Sequence, residues 1–160
     1  MVSAISNTSP LLYLYRIGKI DLLPRLFDEV FTVPAVVDEL QQGKAKGYDV
    51  PVIERYEWLQ VMSPQQVPSE WLVRDLGRGE LETMALALEQ PEKVIILDDA
   101  LPRQIARAAG LEVWGTLRVL LEAKKREMIP QMSAVVDELK QSGMWISDDV
   151  RQRILKLAGE

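Results

Sequence analysis

Five oxygen-bearing side chains stand at the ends of predicted strands or near the beginning of predicted helices. Asn7 follows the first predicted strand, and Asp98 and Asp99 follow the fourth. Glu39 lies one turn into the helix after the second strand, and Glu80 begins the helix that precedes the fourth. Because the carboxyl ends of parallel strands meet at one edge of a sheet, we predict that these side chains share a cleft. Such a cluster is electrically unfavourable unless a cation neutralises it, so it predicts a site for Mg²⁺ or Mn²⁺.

The composition leaves few other kinds of catalysis open. The 160 residues include no cysteine and no histidine. Disulfides, thiolate metal sites, imidazole bases and Ser-His-Asp triads are therefore excluded. Catalysis would have to use carboxylates, amides, hydroxyls or cationic side chains. The net charge of −5 argues against a surface that is basic throughout, but it is compatible with a basic patch beside an acidic site.

Length and composition indicate one soluble domain. Hydrophobic residues make up 48% of the chain and charged residues 27%, which is ordinary for a globular protein. No stretch approaches about 18 apolar residues, so no membrane span is expected. The first six residues lack the charged flank and apolar run of a signal peptide. We therefore expect a cytoplasmic protein.

Short apolar runs alternate with helical patterns along the chain. The predicted strands cover residues 2–6, 30–33, 58–62, 94–97 and 111–114. The predicted helices comprise one with Pro10 in its first turn that ends at Gly18, and others at 20–27, 35–42, 52–56, 79–89, 101–109, 116–126, 131–141 and 148–157. This alternation predicts an α/β fold with a parallel sheet and helices on both faces. We divide the chain into a core at 1–130 and a helical extension packed on it at 131–160.

Each candidate residue also has an ordinary structural interpretation. Asn7 and Asp99 suit helix N-cap positions, and Glu80 suits the positive end of a helix dipole. Glu39 suits a solvated helix face. These alternatives stay open for single residues, and the joint pattern favours a site. We assign Glu82 to solvent, because it lies two positions from Glu80 and points to another side of the helix.

Six segments spread over the whole chain carry a family resemblance. They are Ile5–Leu11, Val33–Leu40, Gly77–Glu82, Ile96–Asp99 with Arg103 and Ala106, Gly115–Leu117 with Ala123 and Lys124, and Ile154–Glu160. In order and spacing they resemble PIN-domain proteins, and more closely a prokaryotic, VapC-like branch that is encoded beside small antitoxin genes. No single segment is decisive, and the specificity lies in the combination.

The resemblance implies a three-layer α/β/α fold with five parallel strands in the order 3-2-1-4-5. It implies an Mg²⁺- or Mn²⁺-dependent endoribonuclease that acts as the toxin of a toxin–antitoxin pair. Asn7 stands where PIN enzymes usually have an aspartate, Glu39 and Glu80 match the second and third acidic positions, and Asp98 and Asp99 both lie at the fourth. An amide oxygen can bind magnesium but brings no charge, so Asn7 weakens the expected metal site. The same branch often carries asparagine at this position.

Further residues and partners follow from the same reasoning. Arg78 and Arg103 flank the acidic residues and suit phosphate contacts, although solvated helix charges explain them equally well. The resemblance places Thr116 beside the cleft, where its hydroxyl would hold a water for RNA cleavage, and it implies a small antitoxin bound across the cleft. The apolar residues 11–15 and 144–146 indicate either a homodimer interface or plain core packing.

The predicted function is hydrolysis of RNA phosphodiesters, assisted by one or two divalent ions that the five candidate residues hold. The main alternative is a binding module of the same fold without useful catalysis, which the neutral Asn7 and the acidic net charge favour. A receiver-like phosphoacceptor is disfavoured, because Asn7 and Thr8 supply no acidic pair after the first strand.

Overall fold

One parallel sheet of five strands forms the centre of the molecule. The computed structural model describes all 160 residues. The strands are β1 (Ala4–Ser6), β2 (Val30–Thr32), β3 (Leu59–Val61), β4 (Val94–Ile96) and β5 (Val113–Trp114), in the order β3-β2-β1-β4-β5. In the central strand, Ile5 lies opposite Phe31 on one side and Ile95 on the other. The predicted fold class and strand order are therefore confirmed.

Helices cover both faces of the sheet. They are α1 (Thr8–Arg16), α2 (Leu22–Leu26), α3 (Pro34–Ala45), α4 (Arg78–Glu89), α5 (Ala100–Ala108), α6 (Thr116–Lys125), α7 (Met132–Gln141) and α8 (Asp148–Leu157). The helix predicted at 52–56 is a short 3-10 turn, Ile53–Arg55. A second 3-10 turn, Ser69–Trp71, has no counterpart among the predicted elements, and the buried ring of Trp71 anchors it. None of the helices has the length and apolar content needed to cross a bilayer.

A single hydrophobic core explains most of the apolar pattern. Strands β1, β2 and β4 are buried at every position, as continuous apolar runs in a parallel sheet predict. Leu11 and Leu14 of α1 are completely buried in this core. Packing within the chain therefore explains these two of the apolar residues that were considered for a homodimer interface. Ile146 is buried as well, whereas Trp145 is 86% exposed.

The C-terminal helices pack on the same core as the sheet. Met132, Val136 and Leu139 of α7 are fully buried within it, and α6 contacts both α7 and α8. The carboxylate of Glu160 accepts hydrogen bonds from the N–H groups of Met132 (2.6 Å) and Ser133 (3.1 Å). This carboxylate satisfies backbone donors that the first turn of α7 leaves without an intrahelical partner.

Hydrogen bonds fix the carboxyl end of the sheet. The hydroxyl of Thr32 donates to the carbonyl of Ser6 (2.8 Å), and the hydroxyl of Ser6 donates to the carbonyl of Asn7 (3.0 Å). The N–H of Asn7 donates to the carbonyl of Ile96 at 3.1 Å. The last residues of β1, β2 and β4 are thus held together where α1, α3 and α5 begin.

Candidate functional site

The five predicted site residues lie at the carboxyl end of the sheet, and we call them the acidic cleft: Asn7, Glu39, Glu80, Asp98 and Asp99. The carboxyl group of Glu80 lies near that of Asp99, and it also experiences the negative charge of Glu39. Asp98 in turn experiences the charge of Asp99. Segments far apart in the sequence therefore contribute to one region of negative potential.

Asn7 has a buried acceptor without a partner. The residue occupies the N-cap position of α1, but its side chain makes no capping hydrogen bond. It is 5% exposed, and its Oδ1 is buried and accepts no hydrogen bond. Leaving such an acceptor unpaired costs about 1–3 kcal/mol, and native proteins seldom do so. The capping interpretation is therefore wrong for this side chain, and its carbonyl oxygen has no partner within the protein.

Glu39 is fixed by donors from two other helices. The hydroxyl of Thr8 donates to Oε2, and the N–H of Gly79 donates to Oε1 at 2.9 Å. A Cβ at Gly79 would lie 2.7 Å from each carboxylate oxygen, so Glu39 can hold this position only because residue 79 has no side chain. The interpretation of Glu39 as a solvated charge is therefore wrong, because its carboxylate lies against α1 and α4.

Glu80 serves its own helix and also faces Asp99. Its Oε1 accepts a hydrogen bond from the N–H of Gly77 at 2.9 Å, which confirms the helix-start interpretation. Burial above all, and then the nearby carboxylates of Asp99 and Glu39, raise the pKa of Glu80 to about 7 against the opposing effect of the Gly77 hydrogen bond. Glu80 therefore holds its proton more tightly than a solvated glutamate does, mainly because it is buried.

Asp98 is the most firmly held of the acidic residues. Its Oδ1 accepts from the N–H of Thr116 and its Oδ2 accepts from the Thr116 hydroxyl, both at 2.8 Å. Burial raises the pKa of Asp98, while these two hydrogen bonds and the charge of Arg103 lower it. Thr116 is fully buried, and its hydroxyl orients Asp98.

Asp99 differs from Asp98 in its surroundings. It is exposed at the N-cap position of α5, and its side chain makes no capping hydrogen bond. Its carboxylate lies beside Glu80. In this arrangement no three acidic side chains stand close enough together to hold one ion, because Glu39 and Asp98 are each turned towards donors of the protein.

Arg103 is turned inwards beside the acidic cleft. The half-buried guanidinium donates from Nη1 to the carbonyl of Leu97 at 3.0 Å. A Cβ at Gly115 would overlap this Nη1 and would lie 3.3 Å from Oδ1 of Asp98. Burial and the neighbouring Arg107 lower the pKa of Arg103, whereas Asp98 raises it. The predicted phosphate contact would compete with these contacts inside the protein.

Arg78 and Glu82 form a separate cluster. Arg78 pairs through Nη1 with Oδ2 of Asp38 and through Nε with Oε2 of Glu82, both at 3.2 Å, while remaining 64% exposed. Glu82 is 18% exposed at its side chain, and its Oε1 accepts from the N–H of Ala35 at 3.2 Å. The assignment of Glu82 to solvent is therefore wrong: this carboxylate caps the beginning of α3 from the neighbouring α4.

Three residues outside the predicted set contribute to the site. Thr8 and Gly79 hold Glu39, and Gly115 makes room for Arg103. All three lie inside the segments that carry the family resemblance, which is a signal for their involvement. Their partners are distant in sequence, so local pattern alone does not reveal which side chain each one serves.

The donor set of the acidic cleft suits a hard divalent cation. Its carboxylate and amide oxygens are the ligand types that Mg²⁺ and Mn²⁺ prefer. Asn7 adds a buried Oδ1 that has no partner within the protein, and the negative charges of Asp99 and Glu39 act on Glu80. The types of side chain present therefore suit such an ion, and their carboxylates would have to move closer together to share it.

Comparison with known proteins agrees with this architecture. The family model DUF3368, a PIN domain, matches residues 3–160. No curated protein matches the chain significantly. Among solved structures, a PilT N-terminus domain protein from the hyperthermophilic archaeon Sulfolobus solfataricus P2 is similar, with a TM-score of 0.54 and 17% sequence identity over 77% of this chain and 93% of that chain. At this identity the structural likeness supports the fold alone.

Proposed function

Because this chain belongs to the PIN-domain family, we propose that it is a metal-dependent endoribonuclease. PIN domains are in general nuclease-type domains that depend on divalent metals. The observation that carries the proposal is the acidic cleft, where Asn7 presents a buried, unpaired oxygen at the same sheet edge as Asp98. The expected products are two RNA fragments, since water adds to phosphorus while the bond to the leaving oxygen breaks.

Asn7, Glu39, Glu80, Asp98 and Asp99 would hold the cation. When bound, a divalent ion supplies positive charge against the phosphate and makes a water more acidic. The residues of the chain provide fixed positions: Thr116 orients Asp98, and Thr8 with Gly79 orients Glu39. Such outer contacts keep the carboxylates in place before the substrate arrives.

The direct test of the proposed function is RNA cleavage by the purified protein. Labelled single-stranded RNA is incubated with Mg²⁺ or Mn²⁺ and with wild type, Glu39→Gln or Asp98→Asn. We expect the cleavage rate to fall on the order of 100-fold in either variant, because each loses a charged oxygen at the site. Glu138→Gln is the matched control, since Glu138 is exposed on α7.

Cleavage that persists at the wild-type rate in both site variants would refute the assignment of the acidic cleft.

We further propose that the protein acts as a toxin on cytoplasmic RNA and that a small antitoxin protein silences it. The family membership supports nucleic-acid binding, and the branch resemblance supports the toxin role. Induced expression of wild type should slow bacterial growth, whereas expression of Glu39→Gln at the same level should not. Equal growth in the two cultures would argue against toxicity.

A second candidate function is RNA binding without cleavage. The neutral Asn7 favours it, because a site with fewer charged ligands binds divalent cations more weakly. This alternative predicts an RNA complex that forms equally well with chelator and with Mn²⁺, and no fragments in the cleavage assay.

A further inference from the structure

Arg103 contacts the backbone just before Asp98 and just before Thr116, two residues that are hydrogen-bonded to each other. Its Nη1 donates to the carbonyl of Leu97, which is the residue before Asp98. The same nitrogen lies over Gly115, which is the residue before Thr116, so closely that a Cβ there would overlap it. Asp98 and Thr116 are joined by two hydrogen bonds of 2.8 Å. The guanidinium therefore spans the ends of β4 and β5 at the point where this pair forms.

The surroundings of Arg103 suit a role inside the protein. The guanidinium is half-buried, whereas Arg107, one turn further along α5, is exposed. Arg103 makes no direct ion pair with Asp98, yet its charge favours the ionised carboxylate. Arginine suits this position because its planar fork presents several donors in a fixed geometry, which a lysine does not.

We propose that Arg103 is a positioning residue that holds the ends of β4 and β5 together and thereby fixes the carboxylate of Asp98 on Thr116. The role in catalysis rests on the proposed ribonuclease function, whereas the structural part does not. Arg103 acts through Asp98 and need not touch the RNA. The absence of a side chain at Gly115 is part of the same arrangement, since it provides the space that the guanidinium occupies.

The test uses two readouts on the full chain. The first is the Thr116 amide in the metal-free protein, followed by NMR chemical shift and hydrogen exchange, since this N–H donates to Asp98. The second is the separation of kcat from KM for RNA cleavage with Mn²⁺. The variants are Arg103→Ala, Arg103→Lys and Gly115→Ala, with Arg107→Ala as the matched control on the exposed face of the same helix.

We expect Arg103→Ala to speed exchange of the Thr116 amide about tenfold or more and to lower kcat about 10–100-fold, with KM nearly unchanged. Arg103→Lys should fall between wild type and Arg103→Ala. Gly115→Ala should resemble Arg103→Ala although it alters no charge, because its Cβ displaces the guanidinium. The double variant Arg103→Ala/Gly115→Ala should be no worse than the single ones, and Arg107→Ala should match wild type.

A different pattern would overturn the proposal. If Arg103→Ala raised KM while kcat and Thr116 exchange stayed at wild-type values, Arg103 would be an RNA-binding residue. If Arg103→Lys and Gly115→Ala sped exchange uniformly across the sheet, Arg103 would support the fold as a whole. If wild type cut no RNA, the proposed function would fail, and the Thr116 amide in the metal-free variants would still decide the role of Arg103.

Discussion

Single side chains set the charge balance of the acidic cleft. Burial, the neighbouring Asp99 and the field of Glu39 together raise the pKa of Glu80 to about 7. Of the nearby cations, Arg78 is engaged with Asp38 and Glu82. The neutral amide of Asn7 limits the negative charge where most enzymes of the family place a further carboxylate. Removing or adding one charge here should therefore change both stability and metal affinity.

The pH dependence of stability should report on Glu80. Its pKa in the folded protein is raised to about 7 from a usual 4.5, so the folded state holds this proton more tightly than the unfolded state. The stability that results is fully present below the unfolded pKa and is lost as the pH rises through the folded one. Glutamine cannot ionise, so Glu80→Gln should escape this loss.

Thermal unfolding in chelator tests this expectation. The melting temperature of Glu80→Gln, measured relative to that of wild type, should increase as the pH is raised from about 5 to about 8. Glu138→Gln should keep a constant difference from wild type over this range, because Glu138 is exposed on α7. A constant difference for Glu80→Gln as well would contradict the charge balance described for the cleft.

Metal affinity should depend on the residue at position 7. Asn7→Asp adds a charge at the end of β1 and should strengthen Mn²⁺ binding on the order of tenfold, since ligand charge is a main determinant of affinity. Asn7→Ala removes the unpaired oxygen and should weaken binding. Isothermal titration calorimetry of the three proteins measures the effect, and equal affinities would show that this side chain does not contact the ion.

At the scale of elements, the first turn of α4 serves two purposes. Glu80 is part of the acidic cleft and Gly79 donates a hydrogen bond to Glu39 of that cleft, whereas Glu82 caps α3. The sequence predicted this helix and the opposite directions of Glu80 and Glu82 from helical periodicity. It did not reveal the partner of Glu82, because that contact joins two helices that are distant along the chain.

Gly79 and Gly77 offer a matched pair of substitutions. In Gly79→Ala the new methyl group meets the carboxylate of Glu39 at 2.7 Å, so the flexible end of Glu39 must move. In Gly77→Ala the nearest atom is Oε1 of Glu80 at 3.5 Å, which is an ordinary contact. We expect Gly79→Ala to lose Mn²⁺ binding and RNA cleavage while keeping its melting temperature, because alanine favours a helix interior.

Calorimetry measures Mn²⁺ binding by both variants, and the cleavage assay measures their activity. Thermal unfolding shows whether both are folded. Gly77→Ala should retain wild-type binding and activity. Full activity in Gly79→Ala would mean that the position of Glu39 seen here is unimportant for function.

The cap that α4 provides to α3 should contribute to stability. Glu82→Ala removes the acceptor for the N–H of Ala35 and the partner of Arg78. The expected loss is about 1–2 kcal/mol in the free energy of unfolding, since a charged acceptor at a helix N-terminus satisfies a donor and the helix dipole. Denaturant titration measures this, and a change within about 0.5 kcal/mol, as for an ordinary surface position, would refute the cap.

At the scale of the whole molecule, the strand order brings the site together. Strand β1 lies between β2 and β4, so the segments after these strands meet at one edge. Alternating strands and helices predicted a parallel sheet, but the order 3-2-1-4-5 came from the family resemblance. The pattern also could not separate Asp98 from Asp99, because adjacent residues differ only in their distant partners, Thr116 and Glu80.

The most direct test of the acidic cleft is a crystal structure of the protein with Mn²⁺, using anomalous diffraction to locate the ion. We expect an anomalous peak at the carboxyl end of β1 and β4, in contact with Oδ1 of Asn7 and with carboxylate oxygens from Glu39, Glu80 or Asp98. Crystals at saturating Mn²⁺ without a peak there, or with the ion bound at a different surface, would contradict this expectation.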